Sequence, residues 1–118
     1  MGKMKGQARI YYVPIGTETY VPMTTDNIEV HHVRFIELDV ASREYRNLTS
    51  LIDVAGDGSF EEQRVRVKIL LPDASAVYID NNGGMRLGSS RQATLSHSSL
   101  RGVRKLLEEI TKPRQKNP

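Results

Sequence analysis

The chain has 118 residues, with 17 Lys plus Arg against 14 Asp plus Glu, and it has no Cys and no Trp. This length corresponds to one domain, large enough to bury an apolar core without staples. The lack of Cys excludes disulfides, thiolate chemistry and Cys-based zinc sites. No apolar run approaches the roughly 20 residues that cross a bilayer, and the basic start lacks a long apolar segment. We therefore expect no signal peptide and a cytoplasmic protein.

The first third of the chain is rich in strand-forming residues. Residues 9–13 contain Ile, Tyr and Val and predict a strand, and residues 19–21 predict a short return strand. Side chains alternate with period two over residues 28–38, which predicts the longest strand. Neither face of that strand is cleanly apolar, so we expect a bulge or a twist within it.

Two patterns compete in residues 41–55. Apolar side chains recur at helical spacing, which predicts a helix, whereas an alternation from Leu48 to Val54 predicts a strand. We prefer the helix, over residues 42–54, and expect the Gly-rich residues 55–59 to end it. Residues 1–7 are expected to be a flexible N-terminus, residues 8–112 a single α+β domain and residues 113–118 a disordered tail.

The clearest alternation of the chain lies in residues 60–71. Val65, Val67 and Ile69 share one predicted buried face. The side chains expected on the solvent face are those of Arg64, Arg66 and Lys68. Residues 76–80 return from a turn, and the Asn and Gly residues at 81–84 predict a tight hairpin turn into a third strand at 85–87. Residues 93–95 predict an edge strand.

The C-terminal region predicts a helix that packs on the sheet. Its apolar stripe consists of Leu100, Val103, Leu107 and Ile110. Ser96 or Ser98 can cap its start, and Arg104–Glu108 and Lys105–Glu109 have the spacing of helical ion pairs. Gly102 costs about 1 kcal/mol relative to Ala in a helix, so we expect a close packing contact there. The predicted fold is α+β: a mostly antiparallel sheet of about five or six strands packed against this helix, with the helix at 42–54 as a second one.

Charge is unevenly distributed along the chain. Residues 18–62 carry ten acids against three Arg, a net charge of −7, and residues 86–116 carry eight bases against two Glu, a net charge of +6. Two interpretations remain open: the two halves neutralise each other on folding, or one of them docks a charged partner and steers its approach.

No catalytic or metal-binding motif is complete. Residues 53–64 resemble a calcium loop, but Arg64 stands where a bidentate Glu is required. His31 and His32 would point to opposite faces of a strand, so a ribonuclease-like histidine pair would need His97 to approach one of them. Residues 88–91 could cradle a phosphate through backbone N–H groups. We predict no metal and no cofactor.

These absences favour binding over catalysis. Our leading hypothesis is a non-enzymatic protein-binding module, most concretely an immunity-type inhibitor that masks the active site of a basic toxin domain or other enzyme. The predicted contact residues are acidic or aromatic: Tyr20, Phe35, Glu37, Asp39, Glu44 and Tyr45. The first alternative is a nucleic-acid-binding module that uses residues 86–116, with a basic patch formed by Arg86, Arg91, Arg101, Arg104 and Lys105. The second alternative is a small His-dependent ribonuclease. No membrane partner is expected.

Overall fold

A computed structural model describes residues 6–88 and 91–111. The elements in chain order are β1 (Gln7–Tyr12), α1 (Ile28–His31), β2 (Arg34–Asp39), α2 (Arg43–Ile52), β3 (Gly56–Asp57), β4 (Val65–Leu70), β5 (Ala76–Asp80), β6 (Gly84–Leu87), β7 (Arg91–Thr94) and α3 (His97–Ile110). All strands join one antiparallel sheet in the order β2-β1-β4-β5-β6-β7-β3. The α+β class is confirmed, with seven strands rather than five or six. The predicted N-terminal segment and tail fall mostly outside the described residues.

The central strands form the predicted meander. β4 pairs with β5, and β5 pairs with β6 through the turn at residues 81–83. On one face of the sheet, Ile10, Val67 and Ile79 pack with Leu48 of α2 and Leu107 of α3 in the main apolar core. The strand side chains in this core share one side of the sheet because every second residue of a strand points to the same face. We call this side the helical face.

Strand β4 departs from its predicted regularity at its start. The pairing register with β5 shifts between Val65 and Val67, as in a β-bulge. Val65 therefore joins a second apolar cluster on the opposite face of the sheet, together with Met23 and Ile28, instead of following Val67. Arg66 was expected in solvent but is only 2% exposed, and its guanidinium donates to the carbonyl oxygens of Thr17 and Val65.

The turn between β5 and β6 is organised by one buried carboxylate. Asp80 Oδ1 accepts hydrogen bonds from the backbone N–H groups of Asn82 and Gly84, each at 2.8 Å. Its Oδ2 accepts from the backbone N–H of Glu61, also at 2.8 Å. Asp80 thus fixes the hairpin and attaches the segment before β4 to it.

Two helices cover the helical face. α2 confirms the predicted helix within 42–54 and begins after Ser42, whose hydroxyl accepts from the backbone N–H of Tyr45. α3 begins after Ser96, which caps it in the same way through Ser99. A Cβ added to Gly102 would lie 3.0 Å from a methyl carbon of Leu51, so Gly102 marks the close approach of α3 to α2. The expected packing contact is confirmed.

Three local expectations are wrong. Residues 28–38 do not form one strand, because Ile28–His31 form a helical turn and β2 begins at Arg34. Residues 19–21 form no strand, and Tyr20 extends into solvent. The Gly-rich segment after α2 is not only a turn, because Gly56 and Asp57 pair with β7 as β3. No helix in the described ranges is long and apolar enough to cross a membrane.

The face opposite the helices is partly covered by two ion pairs whose basic members lie over one tyrosine ring. Lys68 pairs with Glu29, and its Nζ lies 5.6 Å from the centre of the Tyr78 ring. Arg86 lies over the same ring at 5.2 Å and pairs with Glu62. Burial lowers the pKa of Lys68, but the hydrogen bond from Lys68 to Glu29 and the attraction of Glu29 and Tyr78 outweigh it, so the net shift is upward. We call this side the second face.

Candidate functional site

Strand β2 forms one edge of the sheet, and within the described ranges no strand pairs with its outer side. Exposed apolar side chains stand beside this edge: Val33 is 65% exposed and Phe35 42% exposed. Tyr11 of the neighbouring strand β1 and His32 lie against Phe35 on the second face. We call Tyr11, His32, Val33, Phe35 and Glu37 the β2 edge surface.

Three rings form a small cluster within the β2 edge surface. The ring centres of Tyr11 and Phe35 are 5.0 Å apart, and those of Tyr11 and His32 are 5.1 Å apart in an edge-on arrangement. The Nδ1 atom of His32 lies 2.9 Å from the backbone oxygen of Glu29, which fixes the ring orientation. The cluster presents a formed, half-exposed aromatic surface next to unpaired backbone. Sequence reasoning included Phe35 as a contact residue, considered His32 only for catalysis and missed Val33, because the edge position of β2 is set by the topology of the whole sheet.

Two predicted acidic contact residues lie on β2. Glu37 is exposed and pairs with Arg9 of β1 at 3.2 Å. Asp39 is exposed at the end of the strand, and its Oδ1 accepts from the backbone N–H of Ala41. The structure therefore brings Phe35, Glu37 and Asp39 onto one side of β2, because alternate residues of a strand share a face.

The other three predicted contact residues are elsewhere. Glu44 is exposed in the first turn of α2. Tyr45 is half-buried against the main core on the helical face, and burial raises the pKa of its hydroxyl. Tyr20 is fully exposed and lines a separate depression with Glu61 and Arg64. These residues do not form one surface with Phe35.

The acidic segment is not a continuous acidic surface. Four of its acids pair with bases, as Glu18–Arg64, Glu29–Lys68, Glu37–Arg9 and Glu62–Arg86. The pair formed by Glu62 and Arg86 joins the acidic segment to the basic one. Part of the charge separation seen along the sequence is thus neutralised by folding.

The predicted basic patch is divided among three places. Arg101, Arg104 and Lys105 lie together on α3 and line a surface groove. Arg86 lies on the second face beside Tyr78, and Arg91 is exposed at the start of β7. The suggested phosphate cradle at residues 88–91 includes Ser89 and Ser90, which lie outside the described residues.

The groove on α3 has a volume of about 650 Å³. We call it the α3 groove, and its lining residues are Arg34, Arg101, Arg104, Lys105, Glu108 and Glu109. The α3 residues recur at intervals of three and four, which places them on one side of the helix. Arg34 enters from the first residue of β2. Neither Arg34 nor Glu108 was predicted as part of a site.

Glu108 links the groove to the core. Its Oε1 lies 3.2 Å from Nη1 of Arg34, and its Oε2 accepts from the hydroxyl of Tyr12 at 2.8 Å. The hydroxyl of Tyr12 also accepts from the backbone N–H of Ile15. Burial raises the pKa of Tyr12 to about 12, and the nearby Glu108 acts in the same direction. The expected helical ion pairs Arg104–Glu108 and Lys105–Glu109 are not formed, and Glu108 pairs with Arg34 instead.

The histidines do not assemble a catalytic pair. His32 lies in the ring cluster on the second face, whereas His97 is the exposed first residue of α3 on the helical face. β7, which leads into α3, is separated from β2 by four strands of the sheet. In the described residues no three His, Asp or Glu side chains are grouped so that they could hold a metal ion.

The chain was compared with protein-family models, with curated proteins and with solved structures. None of the three comparisons gives a significant match. The geometry of the β2 edge surface and of the α3 groove is therefore the basis for any functional assignment.

Proposed function

We propose that the protein is a non-enzymatic binding module that accepts an extended segment of a partner protein at the β2 edge surface. The observation that carries this proposal is the open edge of β2 next to exposed Val33 and Phe35. A partner strand added to a sheet edge gains main-chain hydrogen bonds, and its alternate side chains can contact the residues beside the edge. Such an edge is otherwise a liability that proteins cover or protect.

The residue types at this surface support a protein partner. Large aromatic residues dominate the energetics of protein interfaces, and Phe35 and Tyr11 are already held against each other. Holding them in place reduces the entropy that binding must overcome. Glu37 and Asp39 on the same side of β2 favour a partner segment that carries Lys or Arg. An immunity-type inhibitor of a basic toxin domain is the most concrete form of this proposal.

A nucleic-acid-binding module is supported less well. The basic residues suggested for it are divided between α3, the second face and the start of β7. Among the described residues that line the groove beside the remaining cluster on α3 there is no aromatic ring for base stacking, which single-strand binding generally uses. A ribonuclease is supported least, because His32 and His97 lie on opposite faces of the sheet.

Site-specific photo-crosslinking tests the proposal. A benzoylphenylalanine replaces Phe35 in the full chain, and a second sample carries it in place of Val54, which is 70% exposed in the turn after α2. In native lysate, we expect a crosslink to one protein from position 35 and none to that protein from position 54. Mapping the crosslinked peptide must then place it in an extended segment.

Affinity measurements with the identified partner complete the test. Phe35→Ala should weaken binding by at least about tenfold, as expected for an interface anchor, whereas Val54→Ala should not change it. Reversal of Glu37 and Asp39 to Lys should slow association with a basic partner. The proposal is contradicted if these β2 variants bind normally while reversal of Arg101 and Arg104 abolishes binding.

A further inference from the structure

The α3 groove contains more positive charge than the chain neutralises. Arg101, Arg104 and Lys105 have no acidic partner within 4 Å among the described residues, and only Arg34 is paired. Four bases and two acids line the groove, so its side chains carry a net charge of +2.

The groove has the dimensions of a small-molecule site. Its volume of about 650 Å³ lies in the range of roughly 300–1,000 Å³ that is typical of ligand pockets. It is bounded on one side by α3 and on the other by Arg34 at the start of β2. Gly16 lies against one lining residue, since a Cβ added there would lie 3.3 Å from Nη1 of Arg104. The turn at residues 14–17 thus limits where that guanidinium can go.

The chemistry of the lining selects an anion rich in oxygen. Guanidinium groups bind phosphate oxygens through paired N–H donors, and Lys adds a compact positive charge. Glu108 holds Arg34 at 3.2 Å through Oε1 while Tyr12 donates to its other oxygen. Arg34 is therefore held at the groove before any ligand arrives, which reduces the cost of ordering it.

We propose that the α3 groove binds a small molecule that carries a phosphate monoester or diphosphate group. Arg101, Arg104 and Lys105 supply the donors that have no acidic partner, and Arg34 supplies a donor from the opposite wall. Glu109, which lies in the same groove and pairs with no base in the described residues, opposes the anion. This site is separate from the β2 edge surface and does not depend on the function proposed for it.

The test is a titration of the ¹⁵N-labelled full chain with inorganic pyrophosphate, followed by NMR at constant ionic strength. We expect saturable shifts confined to α3, residues 14–17 and the start of β2. Inorganic phosphate and a single-stranded RNA octamer serve as the comparison probes. The ionic strength is kept constant because added salt screens surface charge everywhere, which would shift the signals of all basic residues without saturation.

Four substitutions at exposed helix positions predict the direction in which pyrophosphate affinity changes. Arg104→Gln and Lys105→Gln should each weaken pyrophosphate binding by about tenfold, the loss of a charge-assisted contact. Glu109→Gln should strengthen it several-fold. Arg46→Gln, on α2 outside the groove, is the matched control and should have no effect.

Three results would overturn the proposal. Pyrophosphate shifts without saturation would mean that the groove is only a solvated charged face. An equal loss of affinity in Arg46→Gln would show that net charge alone controls binding. Much tighter binding of the RNA octamer than of pyrophosphate in the same groove would assign the site to nucleic acid. Circular dichroism spectra of the variants exclude loss of folding as the cause of any change.

Discussion

Replacing Asp80 by Ala should destabilise the protein more than any exposed charge substitution. The carboxylate is 2% exposed and accepts three backbone hydrogen bonds, from Glu61, Asn82 and Gly84, all at 2.8 Å. Each hydrogen bond to a charged group contributes about 1.5–3 kcal/mol. The donors of Glu61 and Asn82 are only partly buried and can recover water, so we expect a total loss of roughly 3–5 kcal/mol rather than the full sum.

Replacing Asp80 by Asn tests the geometry more finely. The amide oxygen can keep the bonds from Asn82 and Gly84, but the amide nitrogen then faces the N–H of Glu61 and two donors oppose each other. We therefore expect Asp80→Asn to lose roughly 1–3 kcal/mol, less than Ala. Asp26→Ala, which removes an exposed carboxylate, is the matched control and should leave stability unchanged within error.

Urea denaturation followed by circular dichroism measures these differences, and thermal melting supports them. For a domain of this length 1 kcal/mol corresponds to roughly 4 °C in Tm, so Asp80→Ala should melt roughly 12–20 °C lower. The reasoning is refuted if Asp80→Ala stays within about 1 kcal/mol of the unmodified chain, the expected effect of an ordinary substitution. It is equally refuted if the Asn and Ala variants are indistinguishable, since retained acceptors would then not matter.

Three further predictions address the core and its edges. The pKa of Tyr12 is raised from 10.0 to about 12. The stabilisation from its neutral hydroxyl is therefore complete below pH 10, and the free energy of unfolding declines by up to about 1.4 kcal/mol per pH unit as pH rises to 12. Urea titrations at pH 9 and pH 11 should show this part of the decline in the unmodified chain and not in Tyr12→Phe. Gly102→Val should lower Tm because its side chain must displace Leu51, and an unchanged Tm would show that α2 and α3 can separate freely. Arg66→Ala should cost about 2–3 kcal/mol and speed amide hydrogen exchange in residues 14–18, whereas unchanged exchange would mean that its bonds to Thr17 do not hold that loop.

The periodic parts of the fold could be predicted from the sequence because their pattern is long enough to be unambiguous. The alternation before residue 71 predicted β4, and the apolar stripe ending at Ile110 predicted α3. Four residues are too few to distinguish period two from period 3.6, and so the turn Ile28–His31 was assigned to a strand. The N–H of His31 bonds to the carbonyl of Asn27, which closes that helical turn locally.

Features that depend on distant partners could not be predicted. Arg66 can be buried because its guanidinium donates hydrogen bonds to the carbonyl oxygen of Thr17, which is 49 residues away in sequence. The α3 groove needs Arg34 and Glu108, which are 74 residues apart in sequence. β3 contains only two residues and has no pattern of its own, and it forms because β7 offers an unpaired edge. Sequence reasoning found the basic residues of α3 and Phe35 by type, and tertiary structure decided which of them lie together.

The arrangement of the sheet also limits how copies of this chain could associate. β3 is a two-residue strand beyond β7, whereas β2 offers six residues at the other end of the sheet. Pairing of two copies through antiparallel β2 strands would place them around a two-fold axis, with the same surface used by both. Such a pairing covers the β2 edge of each copy and leaves only the short β3 edge unpaired. Counted over the described residues, the symmetric dimer would then have one open sheet of fourteen strands, and the two-residue β3 left at each end would offer little edge for growth into a fibre.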